Sequence, residues 1–425
     1  MMNEIEKKFC FKMKSHQKYS CKISMIALSM LCSVHVLLAQ TNSTTGNIEI
    51  VKGAKQDNPT LVFEGGSTSD ALNQKLLSDF KKCGWFTVVD KGAADYRVKV
   101  SGSVENFTID LMNDSRVSIM SKRISGASDV DMVAHNAVDA VLENQFSIPG
   151  ICRTKLAFSI AVSAKNKEIY VCDFDGANPV RMTQDNAISL EPQWMPDGKS
   201  LIYSYTGSSY TALKQRRFSS SGSAKENTRI VAQYSGMNGG GAISPDGKYV
   251  AMVLSLGNRV DLYVRALEGG SLTRLTNDKA VEASPCWSPD GSKICFVSDK
   301  SGRPVLYVIS AKGGSATMIT GLSGSERVSP DWSSDNQLAY CAKIGGSYQL
   351  AVAKINGSAG TMKQIGVTGK DVFLGENPSW APDNRHIIMA KSGAIYIVDT
   401  RLGTKRVPFT SQSQIVQPAW SRILK

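Results

Sequence analysis

The 425-residue chain carries 49 Lys and Arg against 37 Asp and Glu, a formal charge of +12, and 42% of its residues are hydrophobic. That length accommodates one small domain beside a larger one. No run beyond the first 39 residues is apolar enough to cross a bilayer, which argues against a multi-span membrane protein.

Residues 1–39 read as a secretory signal. Lys7, Lys8, Lys12, Lys14, Lys18 and Lys22 precede an apolar run from Ile23 to Ala39, with cleavage expected after Ala39. The long basic stretch leaves Met13 as a possible start, and an uncleaved single-span anchor is the alternative, because Leu37 is a poor residue at the −3 position. Six lysines against Glu4 and Glu6 give this leader +4 of the +12, leaving +8 on the remainder. A basic surplus favours anionic surfaces, but export argues against nucleic acid as a partner. Three of the nine cysteines lie in the leader, and the other six (Cys83, Cys152, Cys172, Cys286, Cys295 and Cys341) have no metal-like spacing. A two-residue hairpin at Asp290-Gly291 would set Cys286 opposite Cys295. Export would permit a bridge there, but directly opposed pairs are strained as disulfides and thiols are the expected state.

Residues 40–150 predict a small two-layer α/β domain. Short strands are expected at Ile48-Glu49-Ile50-Val51 and Thr60–Phe63. A helix follows over Asp70–Cys83, with Leu72, Leu76, Phe80 and Cys83 on one face, a cap among Ser67, Thr68 and Ser69, and Gly84 ending it. Strands at Trp85–Val89 and Tyr96–Val104 lead to a hairpin of Phe107–Leu111 with Arg116–Ile124. A second helix spans Asp129–Phe146, with Val130, Val133, Ala134, Ala137, Val138, Val141 and Leu142 along one stripe. His135 within it reads as a surface or boundary residue.

Residues 151–425 are dominated by a repeat. Its clearest copies are Trp194-Met-Pro-Asp-Gly198, Ile243-Ser-Pro-Asp-Gly247, Trp287-Ser-Pro-Asp-Gly291 and Trp380-Ala-Pro-Asp-Asn384, with Trp332-Ser-Ser-Asp-Asn336 a weaker copy and Trp420-Ser421 a truncated one. The steps between first residues are 49, 44, 45, 48 and 40. A period of about 40–50 residues built from short strands and tight turns is the mark of a β-propeller. Pro presets φ, Asp bonds back to the backbone and Gly or Asn accepts positive φ, so the phrase is a turn and the Trp a seal between blades. A second phrase, such as Leu262-Tyr-Val-Arg-Ala-Leu-Glu-Gly269, is a later strand and turn in each blade. Asp173 and Asp175 occupy that turn and lack the further oxygen ligands of a calcium loop. Lys155–Ser159 matches a second strand without a Trp phrase before it, and Trp420-Ser421 is a first strand with no blade after it. Joined, they complete a blade from both chain ends, which predicts a six-bladed all-β propeller with no open edge.

The junction Ile148-Pro-Gly-Ile-Cys-Arg-Thr-Lys-Leu-Ala-Phe158, the block Pro285–Lys293 with Ser298–Pro304, and the ending Pro418-Ala-Trp-Ser421 resemble the TolB family, the periplasmic component of the Tol–Pal envelope system. The resemblance covers almost the whole chain after the leader. It implies a periplasmic, non-enzymatic adaptor with no cofactor, peripheral to the membrane through its protein partners, supporting outer-membrane integrity and cell division. It also implies that the propeller mouth holds the peptidoglycan-associated lipoprotein Pal, and that the first segment after the leader, here Ile48, Glu49, Ile50 and Val51, meets TolA of the inner-membrane complex by strand addition. The residues just before each Trp phrase are then the partner-contact candidates: Glu191, Met237, Asn238, Ser284, Ser329, Asn377 and Gln417. Met237 and Ser284 stand where family members often carry an acidic residue or histidine. The alternatives are a propeller that binds a solute or glycan, or a propeller lyase or hydrolase. No Gly-x-Ser-x-Gly elbow occurs. After the leader only His135 and His386 remain as histidines, and His386 sits in an ordinary second-strand position.

Overall fold

The computed structural model describes residues 57–125, 129–218, 227–363 and 375–422. The leader and the Ile48–Val51 segment lie outside the described residues.

The N-terminal part runs β1 (Thr60–Gly66), α1 (Asp70–Lys82), β2 (Thr87–Val89), β3 (Tyr96–Ser103), β4 (Asn106–Asn113), β5 (Ser118–Ser125) and α2 (Val130–Phe146). The sheet order is β2-β1-β3-β4-β5. β1 is parallel to both of its neighbours, and β3, β4 and β5 form an antiparallel meander. Ser69 caps α1, its hydroxyl accepting from the Leu72 amide at 3.3 Å, and Gly84 follows at φ +76°, where a Cβ is disfavoured. Asp129 caps α2, and Ser147 ends it in the left-handed region at φ 52°. Alternation on β3 and β4 turns Val98, Val100, Phe107, Ile109 and Leu111 inward, onto Leu72, Leu76 and Phe80 of α1 and Val138, Val141 and Leu142 of α2. His135 lies inside this packing rather than at its boundary. It is 6% exposed, with Nδ1 2.8 Å from the buried Asp79 carboxylate.

From Lys155 onward the regular structure of the described residues is strand, apart from one short 3-10 turn at Leu256–Asn258. β6 (Lys155–Ala161) and β7 (Lys167–Asp173) share an eight-stranded sheet with the four strands from Ile188 to Ala232, the two parts touching through a parallel Lys167–Ile188 bridge. Four separate four-stranded sheets follow. The C-terminal strand Ile415–Trp420 pairs antiparallel with β6, matching Val416 with Ser159 and Trp420 with Leu156. Ser421 and Lys155 extend the seam, each amide donating to the other residue at 2.8–2.9 Å. The two ends of the strand array therefore lie in one sheet.

The repeated turn owes its shape to the Asp. Asp246 Oδ1 accepts the Ser244 hydroxyl at 2.6 Å and the Lys248 amide at 3.0 Å, and Asp290 does the same for Ser288 and Ser292. Gly247 and Gly291 follow at φ 73° and 71°, while Asn336 and Asn384 take the same place at 65° and 56°. A second device closes the outer strands. Arg274 pairs with the buried Asp261 at 2.5 Å, and the Thr276 hydroxyl accepts the Leu262 amide at 2.9 Å. Arg181, Glu168 and Thr183 repeat it one sheet away. Cys286 and Cys295 are register partners, as the hairpin arithmetic requires, and both are buried free thiols.

The N-terminal part rests on the turn end of the sheets. Lys75 and Lys82 of α1 clasp Asp175 at 3.1 and 2.9 Å, and the Trp85 indole donates to Asp383 at 3.0 Å. Asp175 is therefore more than a turn former. Its carboxylate is held well below the usual range by the lysines, against the upward push of burial.

Candidate functional site: the channel and its mouth

Six inner strands, each ending on the first residue of the repeated phrase, line one channel of about 660 Å³. At one end lie the turn residues Pro196, Pro245, Pro289 and Pro382 with Arg422; at the other lies a ring of residues three before the first residue of each phrase. Every inner strand carries a bulge near that ring position, visible as a register shift against its neighbour. The bulged residue has positive φ in all six: Glu191 55°, Gly240 61°, Ser284 47°, Ser329 52°, Asn377 52° and Gln417 51°. In five of these strands the next residue is Pro, which supplies no amide to the ladder and so fits a bulge.

The strand direction fixes where the ring sits. Four of the six inner strands run from the ring to a Pro-Asp turn, and one of those turns meets the N-terminal part, where Asp383 accepts the Trp85 indole. The ring is therefore the mouth facing away from that part.

Its members are linked to one another. The Gln417 side-chain oxygen accepts the Glu191 amide at 3.1 Å. Glu191 Oε2 accepts the Ser204 hydroxyl at 2.6 Å and the Gly240 amide at 2.8 Å. Across the ring, the Ser329 hydroxyl donates to Asn377 Oδ1 at 3.0 Å. Five sequence candidates (Glu191, Ser284, Ser329, Asn377 and Gln417) thus meet at one mouth. Met237 and Asn238 do not line the channel. Met237 packs on Val253, Val260 and Val281. Asn238 is buried and pins its loop, its amide nitrogen donating to Tyr234 O at 2.7 Å and Thr211 Oγ1 at 2.9 Å. The equivalent ring position in that strand is Gly240, because the third residue before Ile243, rather than the fifth or sixth, occupies the bulge.

Below the ring the tryptophans stitch the strands together. Trp194 Nε1 donates to Ala419 O at 3.1 Å, Trp287 to Ala242 O at 3.0 Å and Trp380 to Asp331 O at 3.2 Å. Each acceptor is the residue just before the first residue of the preceding phrase, Trp420, Ile243 or Trp332. Trp420 instead donates to Thr154 Oγ1 at 2.7 Å, and the buried Trp332 Nε1 has no partner.

One polar residue of the wall escaped the sequence reading. Asp331 precedes Trp332 where the other copies have Gln193, Ala242, Cys286, Ser379 and Ala419. Its Oδ2 accepts the Trp380 amide at 2.6 Å, and burial pushes the carboxyl up to about 6 in spite of that bond. Aligning the residue before each aromatic would have exposed it as the one acid in the set. Chemically, the channel offers proline and indole faces, hydroxyls, amides and two carboxylates. Burial raises the Cys286 thiol, the wall's one thiol, well above its ordinary range, which makes it a poor nucleophile. Among the described residues no three His, Cys, Asp or Glu side chains converge to share a metal ion. No described helix is long and apolar enough to cross a membrane.

The TolB beta propeller domain model matches residues 143–424. The Tol-Pal system protein TolB of Ruthia magnifica subsp. Calyptogena magnifica is 30% identical over 375 residues, 85% of each chain. The TolB of Anaeromyxobacter dehalogenans (strain 2CP-1) is 31% identical over 208 residues, so the match spans about half of that relative (46%) and 48% of this chain. Among solved structures, TolB from Acinetobacter baumannii superposes with a TM-score of 0.74 at 21% identity, covering 87% of this chain and 98% of the other; at that identity it speaks for the fold alone. The propeller match over two-thirds of the chain and the near full-length Ruthia relative agree: the chain belongs to the TolB family of Tol–Pal system proteins.

Proposed function

We propose that this protein is a non-enzymatic periplasmic adaptor of the Tol–Pal system. In this reading residues 1–39 are a signal cleaved near Ala39, 40–150 form the N-terminal α/β domain, and 151–425 form a six-bladed propeller. The eight-stranded sheet then counts as two blades touching at Lys167 and Ile188. The mouth binds the Pal lipoprotein through Glu191, Ser284, Ser329, Asn377 and Gln417, and Ile48–Val51 binds TolA by strand addition. Coupling an outer-membrane lipoprotein to the energised inner-membrane complex would support envelope integrity and constriction at division.

The observation that carries this reading is the mouth itself. It is a polar ring on a channel that faces away from the N-terminal part, in a chain of the TolB family. A partner seated there would leave the N-terminal segment free for a second partner. The test is retention of residues 40–425 on immobilised Pal and, separately, on the periplasmic part of TolA. Retention on both is expected, with TolA binding lost and Pal binding kept after deletion of residues 40–52. Failure of the full chain to bind Pal would overturn the proposal.

A further inference from the structure

His386 is buried at the joint between the N-terminal part and the strand array, with 1% of its surface exposed. Its Nδ1 lies 2.6 Å from Asp383 Oδ2, and its Nε2 lies 3.6 Å from Asp399 Oδ2. The same two carboxylates hold the Trp85 side of the joint, while Asp175, clasped by Lys75 and Lys82, holds the other. Asp383 Oδ2 also accepts the Trp85 indole N–H at 3.0 Å. Asp399 receives Arg385 through Nε at 3.1 Å and Nη2 at 2.6 Å, and Arg385 Nη2 reaches on to Asn58 Oδ1 at 2.7 Å. The Arg385 guanidinium lies 4.5 Å from the centre of the Trp85 ring. Gly84 closes the lid, since a Cβ there would sit 2.5 Å from His386 Nε2. Every contact that the joint makes through Trp85 and Asn58 therefore ends on a group bonded to His386 or to its carboxylate partners.

We propose that His386 is a protonation-operated latch: its imidazolium, closed between Asp383 and Asp399, holds the N-terminal part against the channel-forming strands, and loss of that proton loosens the joint. With His386 charged, two carboxylates face two cations. With it neutral, a buried negative charge is left in excess, which low-dielectric surroundings penalise. The groups facing His386 are few. Asp383 and Arg385 come from its own turn, and Asp399 comes from the end of the neighbouring strand Ala394–Asp399. Arg406, from the strand beyond, adds positive charge felt by Asp383 but shared with Asp175. The N-terminal part contributes only the uncharged Asn58, Gly84 and Trp85.

Burial by itself would strip the proton from His386, but the two carboxylates outweigh it and raise the group above its ordinary range. Because the folded value lies above the unfolded one, the latch contributes fully below about pH 6.5 and is lost as pH rises through the folded value. The joint is thus closed below the folded value, which lies above 6.5, and opens as pH rises past it.

The test follows the Trp85 indole N–H resonance in residues 40–425 from pH 6 to pH 10. In parallel, electron–electron distances are measured between spin labels at Ser121→Cys and Ser310→Cys, two exposed positions on either side of the joint. The expected result is one titration step in the Trp85 shift with a midpoint above 6.5 and a distance distribution that broadens over the same range. The step should vanish in His386→Gln and move to lower pH in Asp399→Asn. A flat Trp85 shift, an unchanged step in His386→Gln, or a step without broadening would each overturn the latch. The parent titration alone decides the matter if the variants fail to fold.

Discussion

The tryptophans of the repeated phrase differ in what their indole N–H meets, and that difference sets a graded prediction. Trp420 is 5% exposed, closes the array through Ile415–Trp420 against β6, and donates to Thr154 Oγ1 at 2.7 Å. Trp420→Ala removes a buried indole and leaves a cavity, a loss of about 3–5 kcal/mol. It also orphans part of a seam whose backbone edge would otherwise be open. Trp420→Phe keeps most of the volume but removes the indole donor to Thr154 Oγ1, a hydroxyl that keeps its own bond to the Ile151 carbonyl, for a loss of about 0.5–1.5 kcal/mol. Trp287→Phe should fall in the same range, because it deprives the Ala242 carbonyl of its donor. Trp332→Phe should cost least of the three Phe variants, because its indole nitrogen is buried with no partner. Urea unfolding of residues 40–425 followed by far-ultraviolet circular dichroism measures the series, read as midpoint shifts because the chain has more than one part. A Trp420→Ala midpoint equal to the parent's would refute closure through this strand. Trp332→Phe costing as much as Trp287→Phe would refute the stitching account.

Three further outcomes follow from single sites. Asp139 is fully buried and accepts the Cys152 amide at 2.8 Å and the Arg153 amide at 3.0 Å, so it ties the 147–154 connection to α2. Asp139→Ala should therefore cost about 3 kcal/mol or more by leaving those donors unmet, measured by the same urea unfolding. Burial, with Asp278, Asp261 and Asp299 nearby, pushes Glu282 up to about 8 despite a bond from Ser298. Here the native state holds a proton that the unfolded state gives up, so stability falls as pH rises from about 4.5 to 8. Glu282→Gln should flatten that dependence and exceed the parent at pH 8, as thermal melts at stepped pH would show. Glu191→Ala removes the acceptor for Ser204 and Gly240. It should weaken retention on Pal at least several-fold while leaving the melting temperature within a few degrees, and unchanged retention would remove Glu191 from the contact set.

Much of the architecture was legible because the repeat is written in residues with a single mechanical use. Pro-Asp-Gly demands one turn, and the step between copies leaves room for the antiparallel strands that follow each inner strand. The helices were equally legible from the Leu72–Leu76–Phe80 stripe and from the Val133–Ala137–Val141 stripe. The mouth was legible in five strands because Pro follows the ring residue there. It was misplaced in the sixth, where Gly240-Gly241 carries the bulge without a proline and Met237-Asn238 drew the eye instead. The joint was not legible at all. Asp175 and Asp383 look like turn formers, and His386 looks like any strand residue, until folding sets Lys75, Lys82 and Trp85 against them across hundreds of positions. Asp79 and His135 belong to the same class, being polar residues on apolar helices that find each other only after the helices pack. Sequence spacing reports local geometry, and these pairs are not local.

If the mouth receives Pal, as proposed, side chains on its ring set the strength of that contact. The affinity of residues 40–425 for purified Pal tests this, set beside Glu191→Ala and Asn377→Ala at the mouth and Tyr249→Ala, an exposed residue after the Asp246 turn and away from the mouth. Saturable binding by the parent is expected, weakened by both mouth variants and unchanged by Tyr249→Ala. No binding by the folded parent, or binding indifferent to the mouth, would contradict the proposal.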